Sequence, residues 1–414
     1  MKSLGHLRVL DLTRVLAGPW CTQLLADLGA EVIKIERPGS GDDTRAWGPP
    51  YLKDSAGAET SEAAYYLSAN RGKRSVTIDI STADGQSLVH KLTKHCDIVV
   101  ENYMVGQLAK YKLDYASLAS INAKLIYCSI TGFGQTGPHR TRAGYDFIMQ
   151  GIGGFMSITG ERDDRPGGGP QKAGVAVSDL MTGMYSTVAI LAAVTHRERT
   201  GEGQYIDMAL YDVMLAMLAN MNMNYLTSGR APGRAGNAHP NIVPYQVFAA
   251  SDGHVVVAVG NDSQFVKFCE VAGAPHLATD ARYRRNADRV RHREVLIGEL
   301  EAIVRARPVA FWIGHLDAAS VPCGPINDIA HALADPQVAA RGLRIDLAHA
   351  VAGRVPMVAN PIKFSATPIR HDYGGVTSLS HPPNSCAVVA LEMLAIPPRF
   401  DPPEPAAFHG AGVA

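Results

Sequence analysis

Short apolar runs alternate with amphipathic stretches from Leu7 to Ile130. Leu7–Leu12 reads as a strand, followed by a turn at Ala17-Gly18-Pro19. Trp20–Leu28 carries apolar residues at helical spacing and stops at Gly29, and Glu31–Ile35 reads as a second strand. A strand–helix–strand crossover of this length makes its two strands parallel. The pattern returns with a strand at Ser75–Ile80, a helix at Thr82–His95 and a strand at Asp97–Val100. A helix over Val105–Ser120 then leads to a strand at Leu125–Ile130. This rhythm predicts an α/β fold with a Rossmann-like, doubly wound parallel sheet.

Beyond it the spacing predicts a long helix at Ala176–Arg199, a strand at Tyr205–Leu210 and a helix carrying Met214, Met217, Met221 and Met223. A methionine stripe of that kind belongs in a core or a subunit contact. Gly229–Pro244, rich in Gly, Pro and Asn, reads as a boundary. Tyr245–Ala250 and His254–Val259 flank a Ser251-Asp252-Gly253 turn and predict a hairpin. Helices follow between Gln264 and Gly314. The expected organisation is a large α/β domain over 1–228, a small α+β domain over 229–329, and a return to the large domain over 330–414.

Composition narrows the function classes. The 414 residues carry 39 Lys+Arg against 39 Asp+Glu, with 46% apolar residues, so neither disorder nor a basic nucleic-acid surface is indicated. Cys21, Cys96, Cys128, Cys269, Cys323 and Cys386 form no C-x-x-C pair, so they read as buried thiols in a reducing compartment, with no metal site. The N-terminus lacks the apolar core of a signal peptide. The longest apolar run, Val188–Val194, stops at Thr195-His196-Arg197, short of the roughly 18 residues of a membrane span. The expectation is a cytoplasmic protein that binds neither nucleic acid nor membrane.

The first crossover carries only Gly18 where a dinucleotide fold needs G-x-G-x-x-G for its pyrophosphate. Instead, Arg37 follows the second strand, Asn70-Arg71-Gly72-Lys73-Arg74 precedes the third, and Asn102-Tyr103 follows the fourth. Cations, an amide and an aromatic face at strand ends point to an anionic, nucleotide-like ligand.

Several stretches carry a resemblance. They are Leu7-Arg8-Val9-Leu10-Asp11-Leu12-Thr13-Arg14-Val15-Leu16-Ala17-Gly18-Pro19, Asp27–Glu36, Asn70–Ser75, Thr131-Gly132-Phe133-Gly134-Gln135-Thr136-Gly137-Pro138 and Ala334–Gly342. Together they resemble the family III CoA-transferases over nearly the whole chain. The resemblance implies an interlocked homodimer and a large domain built from both chain ends. CoA thioester would be a substrate, with no tightly bound cofactor. The family's catalytic aspartate maps onto Asp179, in Gly174-Val175-Ala176-Val177-Ser178-Asp179. A carboxylate attacks a thioester and is already ionised at pH 7 at its ordinary pKa of about 3.9. The implied CoA-side residues are Arg37, Asn70, Arg71, Lys73, Asn102, Tyr103 and Lys110. The implied acyl-site residues are Leu16, Ala17, Tyr145, Gly260 and Asn261, with backbone amides near Gly260 placed to stabilise an oxyanion. Arg14 and Arg45 are candidates for a substrate's distal carboxylate, and His239 for the neighbourhood of the acyl group.

The substrate reading turns on departures within the family. Formyl-CoA:oxalate transferases carry a glutamine where this chain has Leu16, and a glycine-rich loop where it has Gly260-Asn261-Asp262-Ser263-Gln264. The latter is closer to members moving CoA from succinyl-CoA to dicarboxylates. Racemases of 2-methylacyl-CoA use a histidine where this chain has Tyr145, and tyrosine, with an ordinary pKa of about 10, is a poor base at neutral pH. The expected activity is therefore CoA transfer from succinyl-CoA to a dicarboxylic acid. The alternatives are the racemase, the formyl–oxalate pair and a non-catalytic CoA-binding subunit.

Overall fold

The computed structural model describes residues 2–373. The chain folds as two compact units. The first comprises the described chain up to Met149, Ala176–Val213 and the described residues from Leu343 to Tyr373. The second comprises Gln150–Val175 and Met214–Gly342. The second unit thus begins ahead of Gly229, takes an earlier segment as well, and extends past Ile329.

The first unit is built on six parallel strands: β1 (Arg8–Asp11), β2 (Glu31–Glu36), β3 (Lys73–Thr77), β4 (Ile98–Glu101), β5 (Ile126–Thr131) and β6 (Tyr205–Ala209). Their spatial order is β3-β2-β1-β4-β5-β6. Chain order therefore reverses between β1 and β4, where Val9 faces Ile98. All six residues of β5 are buried, including Ser129 and Thr131, so the strand lacks the in–out alternation of a half-exposed one. Leu10, Ile33, Val99 and Tyr127 form one core face with Val89 and Leu92 of the helix Ala83–Thr93. That helix starts where Thr82 accepts a hydrogen bond from the Gly85 N–H.

The single helix expected over Val105–Ser120 is instead a 3-10 turn at Leu108–Tyr111 and a short helix at Tyr115–Ala119. Lys112, at φ 57°, takes the left-handed conformation and breaks the run. The methionine helix breaks in the same way at Ala219 (φ 43°), giving Leu210–Met217 and Ala219–Ser228. Met214 is buried, whereas Met223 is exposed, so the stripe is not one core face.

The helix Val177–Thr200 is long and apolar enough to cross a membrane by length and composition, which the reading of the run at Val188–Val194 did not anticipate. It packs instead on the first helix, Ala17–Asp27. At Gly183 the two approach so closely that a Cβ would lie 2.7 Å from the Ala17 carbonyl oxygen and 3.0 Å from the Trp20 ring. Ser178, Asp179, Thr182 and Ser186 are all buried along it.

The returning segment forms an antiparallel pair, Arg344–His349 and Gly353–Val358. Its Leu347 and Val355 pack with Tyr66, Leu67 and Tyr373. The second unit holds the expected hairpin, Tyr245–Ala249 with His254–Ala258, extended by Cys323–Pro325. Its core gathers Phe248, Phe265, Phe268 and Trp312. Cys21, Cys96, Cys128 and Cys269 are buried free thiols, Cys323 is half-buried, and Cys386 lies outside the described residues.

Candidate active site

In an open α/β sheet the crevice at the carboxyl ends of the strands, where chain order reverses, is the place for a ligand. Here the loops after β1 and β4 meet at that point. The Arg14 N–H donates to Asn102 Oδ1 (2.9 Å), and Asn102 Nδ2 donates back to the Arg14 carbonyl (2.7 Å). Asp11 holds the Thr13 N–H (2.9 Å), and Asp42 accepts from the Val15 N–H (3.3 Å). Suspended between them, Val15 has φ 71°, a conformation that costs a β-branched residue about 1–3 kcal/mol. The loop then turns into the helix at Ala17, whose N–H, at the first helical position, has no intrahelical acceptor.

Two adjoining cavities open along this edge. One, of about 350 Å³, is lined by Arg37, Asp79, Ser81, Gln107 and Tyr103 among others. The other, of about 260 Å³, is lined by Leu16, Ala17, Asn102, Arg140, Arg142, Tyr145 and Asp179 among others. Arg14, Tyr103 and Gln107 line both. Every lining residue belongs to the first unit.

Asp179 sits in the first turn of Val177–Thr200. Its carboxylate is buried, and among the described residues no group donates a hydrogen bond to it. Burial, reinforced by the Asp146 carboxylate, pushes its pKa up to about 7. Asp179 is therefore not the fully ionised carboxylate that an ordinary aspartate would present. Asp146 is anchored nearby, accepting from the Ser178 N–H at 2.7 Å. The Tyr65 phenol is pushed up to about 12 by burial and by the charges of Asp179 and Asp146, which places that ring in the same neighbourhood. Trp47 meets Tyr65 edge-on at 5.2 Å.

The implied CoA-side residues divide. Arg37 is exposed on the first cavity, and Tyr103 is half-buried beneath the Arg14 guanidinium, 5.3 Å from its ring centre. Lys110 is exposed on its 3-10 turn and lines neither cavity. Asn70, Arg71 and Lys73 point inward instead. The fully buried Lys73 ammonium donates to Asp11 Oδ2 (3.1 Å), the Pro19 carbonyl (2.9 Å) and Asn70 Oδ1 (2.9 Å). An ammonium has three donors, so none remains for a phosphate. Arg71 forks onto Asp27 (2.9 and 2.6 Å) and reaches the Val358 carbonyl (3.0 Å). These three residues tie the first helix to the sheet and to the returning strand. Asn102 lines the second cavity, with its amide committed to the Arg14 loop.

The acyl-site residues divide as well. Leu16, Ala17 and Tyr145 line the cavity that holds Asp179. Gly260 and Asn261 belong to the second unit. There the Gly260 N–H donates to Gln264 Oε1 (2.8 Å), and Asn261 caps the helix Asp262–Val271, so the expected oxyanion donor is engaged. Arg45 is spent on Glu36 (2.7 and 2.8 Å) and on Tyr66 (2.7 Å). His239 Nδ1 accepts from the Asn241 N–H, shaping a turn in the second unit. The sequence reading missed Asp146, Arg140, Arg142, Asp79 and Ser81. The last two stand at a strand's carboxyl end, where the switch-point rule would have flagged them.

Comparison with known proteins names the class. The description of CoA-transferase family III matches residues 4–374, and the chain belongs to that family. It is 53% identical over 373 residues to the succinate–glutarate CoA-transferase of Agrobacterium fabrum, spanning 89% of this chain and 91% of that one. It is 41% identical to the human succinyl-CoA:glutarate CoA-transferase, over 88% of this chain and 81% of the relative. Among solved structures, a CAIB/BAIF family protein from Brucella suis superposes with a TM-score of 0.80 at 48% identity, covering 94% of this chain and 99% of that one.

Proposed function

We propose that this enzyme moves CoA from succinyl-CoA to a dicarboxylic acid, with Asp179 as the covalent nucleophile. The observation that carries this is a buried carboxylate, given no hydrogen bond by the described residues, facing a cavity at the switch point. The printed activities of the relatives supply the donor and the acceptor class.

In this reading an Asp179 oxygen attacks the thioester carbonyl, the C–S bond breaks, and CoA leaves as thiolate. The resulting mixed anhydride takes the thiolate back at the Asp179 carbonyl carbon and releases succinate. The aspartyl thioester then meets the acceptor carboxylate, and the steps run in reverse. Charge balances at each step and no proton is consumed. The Ala17 N–H, at the mouth of the first helix, is a donor for the oxyanion. The first cavity, with Arg37 and Tyr103, takes the nucleotide end of CoA. Among the described residues no histidine lines either cavity, so a histidine–aspartate racemase pair has no base here. The protein works as an interlocked homodimer, a reading supported by Met184, Tyr185 and Val188, exposed along one helix. Light scattering should give twice the chain mass.

The test is exchange. Incubation of the enzyme with succinyl-CoA and carbon-labelled glutarate should yield labelled glutaryl-CoA and free succinate in equal amounts. Release of succinate without labelled thioester would make the protein a hydrolase and sink the proposal.

The ionisation of Asp179 adds a pH signature. Attack needs the carboxylate, and the folded pKa is about 7. Single-turnover acylation should therefore rise with pH, reach half its plateau near pH 7, and stay flat above. Asp146→Asn removes one of the two causes of that elevation while keeping an oxygen for the Ser178 N–H. Its half-plateau should move to lower pH. A profile flat from pH 5 to 9, or an unmoved midpoint in the variant, would contradict the assignment.

A further inference from the structure

The second cavity carries more positive charge than the transfer chemistry needs. Its charged lining residues are Arg14, Arg140, Arg142 and Asp179. Arg14 is paired with Asp43 at 3.2 Å. Arg140 and Arg142 have no carboxylate partner among the described residues. The reacting carbonyl of a thioester is neutral, and an attacking carboxylate brings one charge. Two exposed guanidiniums without a carboxylate partner, on the cavity that Asp179 also lines, therefore fit a second carboxylate on the same molecule.

The loop that carries them is held in place. Hydrogen bonds from the Arg140 N–H to the Gly137 carbonyl (3.5 Å) and from the Arg142 N–H to the His139 carbonyl (2.9 Å) turn the chain twice. Gly132, just past β5, and Gly144 touch backbone to backbone. A Cβ on Gly144 would lie 2.4 Å from the Gly132 Cα, so only glycine lets the loop sit against the sheet edge. The Arg142 guanidinium lies over the Phe133 ring, 5.1 Å from its centre, which limits its sweep. Asp146, which closes this loop, adds a second negative charge near Asp179. A dianionic substrate entering there meets repulsion that the two arginines offset.

We infer that Arg140 and Arg142 bind the distal carboxylate of the dicarboxylic substrates and set the preference for dicarboxylates over monocarboxylates. This rests on the reading of Asp179 as the nucleophile. The probe is a pair of donors of equal length, succinyl-CoA and butyryl-CoA, which differ in the distal carboxylate. Single-turnover acylation of Asp179 is measured with each, in the wild type, Arg140→Met, Arg142→Met and the double variant. Loss of a charge-assisted contact should slow single-turnover acylation by succinyl-CoA, at a concentration below saturation, about 10- to 150-fold. Butyryl-CoA acylation should stay within about twofold, which also shows that the variants are folded. Equal losses with both donors would reassign the arginines to CoA itself, and no loss with either would make them solvated loop residues. Both results overturn the inference, while wild-type acylation of Asp179 still supports the nucleophile reading. Failure of the wild type to acylate with either donor would instead remove the nucleophile reading beneath it.

Discussion

Replacing Asp179 with asparagine should lower acyl exchange by roughly 10³-fold or more, because the amide cannot form the mixed anhydride. The same change should make the protein more stable at pH 8. The sign follows from the pKa. Asp179 titrates near 7 in the folded chain against an ordinary 3.8. Between those values the native state binds more protons than the unfolded state, so stability falls as pH rises. Above pH 7 the penalty is fully present, and three pKa units correspond to about 4 kcal/mol. Thermal melts of wild type and Asp179→Asn should diverge as pH rises from 4 to 8 and converge near pH 4, with the variant higher. An inactive variant that melts lower than wild type at pH 8 would speak for a structural aspartate. An active site that burdens the fold in this way is an ordinary trade of stability for function.

Lys73→Met should cost about 3–5 kcal/mol of stability, since it strips a fully buried carboxylate of a direct ionic partner. Asp11 keeps bonds from Thr13 and Thr22 (2.5 and 2.6 Å) but loses the ammonium at 3.1 Å. Burial pushes the Lys73 pKa down to about 8 despite the Asp11 charge, so this ammonium is already held at a cost. Denaturant melts measure the loss. The KM for succinyl-CoA of the folded fraction should move little. A large rise in that KM with unchanged stability would restore Lys73 as a CoA ligand.

The burial of Lys73 is not legible in the sequence, whereas the sheet that buries it is. The parallel sheet was legible because buried strands and crossover helices leave different apolar periods, and β1, β2, β4 and β5 stand where those periods placed them. Charges were not legible in the same way. Arg71 and Lys73, beside a glycine, look like a solvated loop, yet strand geometry turns them under the first helix onto Asp27 and Asp11. The signal was present in Asp11, an acid that follows the buried Val9 and Leu10 on β1 and had to find a buried cation. Asp179 was reached through family resemblance, since a first-turn aspartate on its own reads as a helix cap. Its raised pKa could not be read at all, because burial and the approach of Asp146 belong to tertiary structure. Arg140 and Arg142 were passed over for a related reason. The backbone contact of Gly132 with Gly144, a tertiary feature, holds their loop at the cavity that Asp179 lines.

The most direct test of the mechanism is a covalent one. The enzyme is mixed with succinyl-CoA at pH 8 without acceptor, quenched, digested and weighed by mass spectrometry, in parallel with a hydroxylamine-treated sample. The account predicts CoA joined by a thioester to the peptide carrying Asp179, replaced by a hydroxamate at Asp179 after hydroxylamine, and neither in Asp179→Asn. Exchange of acyl groups with no adduct at Asp179, or an adduct at another residue that survives in Asp179→Asn, would contradict it.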